Sequence, residues 1–294
     1  GTTIDGTTQP GWSGRPIIVL SGRRAGLADG LVITSSLNVI AGLVINGFEG
    51  SGVKIIVDPP ESGTATGNIV RGCYIGTDPT GQRSVGNGLY GVLITRNRTQ
   101  ANLIGGPTPA DRNVISGNRS NGIELDFPTF GNLILGNYIG TTADGETVLS
   151  NVDGVRIESQ ASGNRVGAPG AGNVVAGSVG NGIWIRAPGS SDRNIVQANR
   201  IGVSPSGAPL GNRISGVAIS SGSENLIGGT EQGEGNLIAY QRGSGVQITG
   251  PSRGNRVLGN VIRNNGELGI DLRGDGPTPN DPGDADAGPN DLQN

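Results

Sequence analysis

The sequence predicts an all-β solenoid of about nine coils, each built from three short parallel strands. Two observations predict it. The first is a block that keeps returning: Asn132-Leu-Ile-Leu-Gly-Asn137-Tyr-Ile-Gly, followed after a loop by Gly154-Val-Arg-Ile157, recurs as Asn68-Ile-Val-Arg-Gly-Cys73-Tyr-Ile-Gly with Gly91-Val-Leu-Ile94. It recurs again as Asn194-Ile-Val-Gln-Ala-Asn199-Arg-Ile-Gly with Gly216-Val-Ala-Ile219. A unit repeated at a fixed spacing is one supersecondary element stacked on copies of itself. The second is composition: 294 residues hold 56 Gly, 17 Pro, 3% aromatics, one Lys, and neither His nor Met. That much Gly and Pro approaches the disordered range, but disordered chains lack a regular apolar pattern. The periodic Val and Ile therefore decide for a folded repeat.

Each coil can be read in order. The first strand, A, follows an asparagine at Asn38, Asn68, Asn102, Asn132, Asn164, Asn194, Asn225 or Asn255, in steps of 30 to 34 residues. Strand B follows Asn113, Asn137, Asn173, Asn199, Asn236 or Asn260, with Leu43 and Cys73 as departures. Strand C is a Gly-apolar-x-apolar run, as in Gly52, Gly91, Gly122, Gly154, Gly182, Gly216 and Gly245. Runs this short, closed by Gly or Asn turns, are strands rather than helices. In strand C the second and fourth positions are Val or Ile with few exceptions, while the third varies through Lys54, Leu93, Glu124, Arg156, Trp184, Ala218, Gln247 and Asp271. Period two with one apolar face is a half-buried strand, and repetition in every coil stacks the strands about 4.8 Å apart in three sheets around a narrow core. The recurring asparagines then fall above one another, where a carboxamide can hydrogen-bond up the column. Coils alternate in where they carry extra residues, between B and C or between A and B, so the sequence repeat is a pair of coils.

The ends are read separately. Residues 1–272 are expected to form the solenoid and 273–294 an acidic Gly/Pro/Asp-rich tail. Asp284-x-Asp286 followed by Asn290 and Asp291 clusters hard oxygen ligands of the kind calcium prefers, against the alternative of a solvated acidic linker. A stack of parallel strands exposes an unpaired edge over an open core at each end, and such edges invite another chain. End-to-end self-association into a filament, or contact with neighbouring modules of a longer chain, is the expectation that follows. Beginning at Gly1, the chain is expected to be a processed form or an excerpt.

Thr3-Ile-Asp-Gly-Thr-Thr-Gln-Pro-Gly11, the Gly-Asn-x-Ile-Gly-Thr blocks, Asn113-Val-Ile-Ser-Gly-Asn118 and Gly269-Ile-Asp-Leu-Arg-Gly-Asp-Gly-Pro-Thr-Pro-Asn-Asp281 resemble the right-handed parallel β-helix repeats of large secreted bacterial surface proteins. The resemblance covers essentially the whole chain. It implies a pectate-lyase-like architecture and an extracellular or cell-surface setting, but no particular activity, since this fold hosts lyases, hydrolases, adhesins and structural modules.

Chemistry concentrates on the outward face of strand C. Register sets Glu124 beside Arg156 beside Trp184, and one pleat along it sets Asp126 beside Glu158 beside Arg186. Asp126 and Glu158 would lie about 5 Å apart by strand spacing, the separation of the paired carboxylates of retaining glycoside hydrolysis. Trp184 is a candidate platform for a sugar ring. The competing interpretation is an exposed ladder of alternating charges, Glu124 with Arg156 and Glu158 with Arg186, contributing about 0–1 kcal/mol. A lyase would need a base, and with no His the remaining candidates are poor. The net charge is −3, with arginines scattered rather than striped, which disfavours nucleic acid. No apolar run is long enough to span a membrane. The balance favours a non-catalytic structural or adhesive module over an enzyme or binder acting on extracellular polysaccharide through the strand-C face.

Overall fold

The structure is a computed structural model that describes residues 1–59, 63–186, 189, 191–277 and 289–292. Among the described residues three nine-stranded parallel sheets carry the fold. Sheet A runs from Thr3–Asp5 to Arg256–Leu258, sheet B from Ile18–Ser21 to Val261–Arg263, and sheet C from Leu31–Ile33 to Ile270–Leu272. Each coil contributes one strand to each sheet, which makes a right-handed parallel β-helix of nine coils, about 40 Å long by strand spacing.

The lining is aliphatic, as the alternation in strand C requires. Ile157, Ile185 and Ile219 lie in file, paired in register across successive coils, and all three are fully buried. Continuous Val and Ile from all three sheets fill the space between them as a single core. Burying one such side chain is worth roughly 1.5–3 kcal/mol, and repetition rather than any one contact makes the rod stable.

The corners are amide columns. In the first, each asparagine from Asn38 to Asn225 offers its backbone N–H and its Nδ2 to the Oδ1 of the next, as Asn132 does to Asn164 at 3.0 Å in both cases. The second runs from Asn113 to Asn260, and Cys73 joins its head by donating its backbone N–H to Asn113 Oδ1. A third column, not among those singled out from sequence, links Asn87, Asn118 and Asn151 and resumes at Asn212 with Gln241 and Asn265. The glycine that opens strand C has a different reason from turn conformation. A Cβ on Gly154 would stand 2.4 Å from Val175 Cγ1 and 2.6 Å from Gly182 O, so only hydrogen fits where sheet C meets sheet B.

The extra residues between strands B and C fold into small hairpin loops, closed by the bridges Thr77 to Ser84, Thr141 to Val148 and Val203 to Pro209. They stack on one another. Ala143 N–H donates to Gly81 O, and Glu146 accepts from Ser206. Tyr74 and Tyr138 lie half-buried beneath Gly81 and Gly145, a packing role at a repeated position.

At the C-terminal end one corner is capped, while Leu258, Val261 and Ile270 of the last coil stay exposed. Asn290, in the short helical turn Pro289–Leu292, occupies the rung above Asn255: its Oδ1 accepts the Asn255 N–H at 2.7 Å and its Nδ2 donates to Asn255 O at 3.0 Å. The first coil remains open, with Ile4, Ile18, Val19 and Val32 exposed.

Candidate functional site

Sheet C delivers its third-position residues in register: Glu124, Arg156, Trp184, Ala218, Gln247 and Asp271 form one row. The residue just before each opening glycine adds a second polar row at the corner. Asn121 Oδ1 accepts from Asp153 N–H at 3.0 Å, Asp153 Oδ1 from Asn181 N–H at 2.8 Å, and Asn181 Oδ1 from Ser215 N–H at 3.1 Å. These hydrogen bonds hold Asp153 at the edge of the sheet-C face beside Arg156.

Glu124 is the first correction to the sequence-based expectation. It stands on the outward side of the strand, yet it is only 1% exposed and is not a rung of a solvated charge ladder. Its Oε2 accepts from Asn121 Nδ2 at 2.5 Å, and its Oε1 is buried with no partner. Burial is the main reason that its pKa rises from 4.5 to about 9; the Asn121 hydrogen bond and Arg156 oppose the rise, while the Glu158 and Asp126 charges add to it. At neutral pH this carboxyl therefore holds its proton. Tyr90, on the preceding coil, has its hydroxyl pushed up by burial first and then by Glu124, Asp126 and Glu158, which marks it as a neighbour of the same cluster.

Arg156 pairs elsewhere than expected. Its Nε lies 3.4 Å from Asp153 Oδ2 and 3.8 Å from Glu158 Oε2, while Arg186 Nε lies 3.5 Å from Glu158 Oε2. The pairing of Glu158 with Arg186 was foreseen, whereas Asp153 as the partner of Arg156 was not. Both guanidiniums also lie over the Trp184 indole, 4.5 and 4.6 Å from the ring centroid. Trp184 is thus engaged in holding two cations, and its Nε1 donates to Ser220 Oγ at 3.2 Å. Asp126, proposed from spacing as half of a carboxylate pair with Glu158, turns its Oδ1 back to accept the N–H of Phe127 at 2.8 Å.

Asp153 Oδ2 and Arg156 Nε approach within ion-pair range without making a hydrogen bond. Together with Glu124 Oε1 they are the buried, unpartnered polar atoms of charged side chains among the described residues. Native structures leave few such atoms, and a cluster of three asks for an explanation. Desolvation also raises the Asp153 carboxyl above its ordinary range, against the pull of the Asn181 N–H and of Arg156.

A cavity of about 400 Å³ opens on this face. Arg156, Trp184, Ala218 and Gln247 form its floor, and Val152, Asp153, Val179 and Ile214 its wall. Glu124, Asp126, Glu158 and Arg186 are not part of that lining, so the face is a groove over one part of the predicted row and a flatter ladder over the rest. A larger cleft of about 790 Å³, around Arg23, Phe48, Glu49 and Arg119, lies apart from the buried acids. Size alone does not choose it, because the unsatisfied charged groups lie elsewhere.

The predicted calcium ligands fare differently from one another. Asn290 commits its carboxamide to the asparagine column, which takes it out of the set. Asp284, Asp286 and the side chain of Asp291 lie outside the described residues. Among the described residues no group of three or more His, Cys, Asp or Glu is arranged to hold a metal. No helix among them is long and apolar enough to cross a membrane.

Asn121, Asp153 and Tyr90 escaped sequence reasoning. Their signal was present as the position before the opening glycine of strand C, but which of those residues turns toward the sheet is a matter of tertiary packing.

No protein-family model matches the chain, and no curated protein matches it. Solved structures do. A mutant of the periplasmic alginate epimerase AlgG aligns with a TM-score of 0.58 at 18% identity, covering 82% of this chain and 48% of that one. The A-module of the Azotobacter vinelandii mannuronan C-5 epimerase AlgE4 aligns with a TM-score of 0.53 at 15% identity, covering 79% and 54%. The AlgE6 A-module of the same organism aligns with a TM-score of 0.51 at 16% identity over the same shares. This chain therefore spans about half the length of those structures. At such identities the likeness is one of fold: a right-handed parallel β-helix of pectate-lyase-like architecture.

Proposed function

We propose that this chain binds and acts on an extracellular polysaccharide along the outer face of sheet C, at the groove floored by Arg156 and Trp184. The observation that carries the reading is that groove of about 400 Å³ beside a cluster of carboxyls and guanidiniums, in which the buried Glu124 lies beneath the surface. Glu158, between Arg156 and Arg186, supplies a charged carboxyl in the same cluster. Similarity to structures of alginate and mannuronan epimerases supports a polysaccharide-active reading over a purely structural one. Elimination or epimerisation through a phenolate base is the weaker chemistry here, because Tyr90 is pushed toward keeping its proton.

The test is incubation with a panel of polysaccharides, followed by reducing-end assay and NMR of the products. Turnover by the wild type that Glu158→Gln abolishes supports the reading. Binding without turnover reduces it to a glycan-binding module, and neither binding nor turnover removes it.

A structural or adhesive module is the second reading, supported by the exposed aliphatic edge of the first coil. Indefinite head-to-tail stacking is disfavoured by Asn290, which fills the rung that an incoming coil would use. Electron microscopy of concentrated protein separates short rods from continuous fibres.

A further inference from the structure

Resting on the polysaccharide reading, we propose that the corner between sheets B and C is an anion-binding edge, on which Arg23, Arg119, Arg213 and Arg242 receive the carboxylates of an acidic heteropolysaccharide charged on only some of its sugars. Three observations carry the proposal.

The first is a file of exposed side chains. The third amide column turns the chain at this corner, and backbone bonds hold the residue after each rung in line with those of neighbouring coils: Arg119 N–H donates to Asn87 O at 2.9 Å, Val179 N–H to Asn151 O at 3.0 Å, Arg213 N–H to Ser178 O at 3.0 Å and Arg242 N–H to Asn212 O at 2.9 Å. In order along the rod the row reads Glu49, Gly88, Arg119, Val152, Val179, Arg213 and Arg242, and all but Gly88 are exposed. The row borders both cavities on this side. Arg23, Glu49, Gly88 and Arg119 line the cleft of about 790 Å³, while Val152 and Val179 stand in the wall of the sheet-C groove. A polymer leaving that groove along the rod therefore meets Arg119 in one direction and Arg213 in the other.

The second is charge without a partner. This edge carries five guanidiniums, Arg23, Arg24, Arg119, Arg213 and Arg242, against the carboxylates Glu49 and Glu267; its other acids, Asp29 and Asp153, are paired with Lys54 and Arg156. The hairpin loops before it add Arg83 and three acids, Asp78, Asp144 and Glu146. Those carboxylates accept from Thr80, Thr142 and Ser206 and line neither cavity. Among the described residues none of the five guanidiniums has a hydrogen bond, an ion pair or a ring contact. By contrast, Arg71 and Arg193 pair with Asp111 and Glu224, and Arg112 and Arg263 lie over Tyr138 and Tyr240. Arginines scattered in the sequence are thus gathered on one edge, and a free guanidinium is the side chain best shaped to receive a carboxylate.

The third is spacing. Arg23 and Arg119 lie three coils apart and Arg119 and Arg213 another three, about 14 Å in each case by strand spacing, with Arg242 on the next coil. Between them stand Glu49, Gly88, Val152 and Val179. A sugar unit in an extended chain is about as long as one coil, about 4.8 Å, so a chain lying along the row meets cations at intervals rather than at every unit. A polymer with a carboxylate on every sugar sets one against Glu49 and others against the aliphatic pair, where like charge repels and nothing offsets desolvation. A polymer charged on some sugars only places its neutral units there. The row carries no aromatic side chain on which nucleic-acid bases would stack.

Affinity electrophoresis of the intact chain tests this, with gellan, charged on a minority of its sugars, and hyaluronan, charged on alternate ones. Mannuronan and polygalacturonate, charged on every sugar, and neutral dextran are the comparisons. Gellan or hyaluronan is expected to retard the protein more than either polyuronate does, with affinity that falls about tenfold or more between about 50 and 500 mM salt as screening sets in. Dextran is expected to leave its mobility unchanged. Arg119→Gln combined with Arg213→Gln is expected to weaken binding about tenfold or more at unchanged Tm, since both side chains are exposed. Arg15→Gln combined with Arg256→Gln makes the same change of net charge at exposed sites off this edge, and is expected to alter affinity less than about twofold. A loss as large in that second pair overturns the assignment to this corner. Tighter binding of the polyuronates than of gellan and hyaluronan, or retardation by dextran alone, overturns the proposal and leaves the polysaccharide reading standing. No retardation by any probe overturns both this proposal and the function on which it rests.

Discussion

Asn121 Nδ2 donates to Glu124 Oε2 at 2.5 Å, while the other oxygen of the same carboxyl is buried and meets no donor. A carboxyl half satisfied in this way keeps its proton, and its surroundings bear on stability as well as on function.

The first prediction concerns pH. Glu124 titrates near 4.5 when unfolded and near about 9 when folded. Below the lower value both states are protonated and the contribution to stability is fully present. As pH rises between the two values the unfolded state releases the proton and the folded state keeps it, so stability falls until about pH 9 and then levels off. Urea midpoints measured from pH 5 to 9 should decline, and Glu124→Gln should remove most of the slope. Asp153, raised for the same reason, leaves a smaller slope of the same sign. Tyr90, Asp126, Glu158 and Arg156 surround Glu124, and Tyr90 affects only the alkaline limb. A wild-type profile that is flat over this range would contradict the burial of Glu124.

The second prediction concerns the first amide column. Asn132 Oδ1 accepts both from Asn102 N and from Asn102 Nδ2 at 3.0 Å, and Asn132 donates in turn to Asn164. Asn132→Ala strands the buried Asn102 N–H, leaves Asn102 Nδ2 with Ala65 O alone and Asn164 Oδ1 with one donor instead of two, which should cost about 2–4 kcal/mol. The exposed Asn97→Ala should stay within about 0.5 kcal/mol. Guanidinium denaturation of both variants distinguishes a load shared along the column from a passive turn residue.

The third prediction concerns Cys73. This thiol is fully buried, and desolvation pushes its pKa up to about 12. It should not react with maleimide in the native protein and should react promptly in denaturant. It also stands where later coils carry the asparagines of the second column, with Sγ 3.2 Å from Arg71 O and its N–H on Asn113 Oδ1. Cys73→Asn should extend that column and be neutral or stabilising by about 1 kcal/mol. A marked fall in Tm would mean that the site cannot admit an amide.

The fourth prediction concerns the end of the rod. Asn290→Ala removes two hydrogen bonds to Asn255 and should lower stability by about 1–2 kcal/mol. Sedimentation velocity of the wild type at high concentration should give one monomeric species. Concentration-dependent growth in the wild type would restore end-to-end assembly.

Much of the fold was legible because it is local and repeated. The spacing of Asn102, Asn132 and Asn164, and the alternation around Val155 and Ile157, each recur in coil after coil, so one coil predicts the next. Once the repeat is aligned, register follows, and Arg156 beside Trp184 is readable from the sequence alone. The candidate site was legible only as a row of positions. Alternation says that Glu124 points away from the aliphatic core, and the natural conclusion is that it meets water. Its burial instead goes with a local contact, the Asn121 hydrogen bond, and so with the identity of single residues rather than with the period.

The sequence by itself therefore determined the coil, the aliphatic lining, the amide corners and the alternating loops, since backbone periodicity and side-chain type suffice for those. Only the tertiary structure decided that Glu124 is buried and half satisfied, that Asp153 rather than Glu124 is the partner of Arg156, and that Asn290 closes a column. These arise where residues far apart in sequence meet once and without repetition, and a contact that does not repeat leaves no period to read.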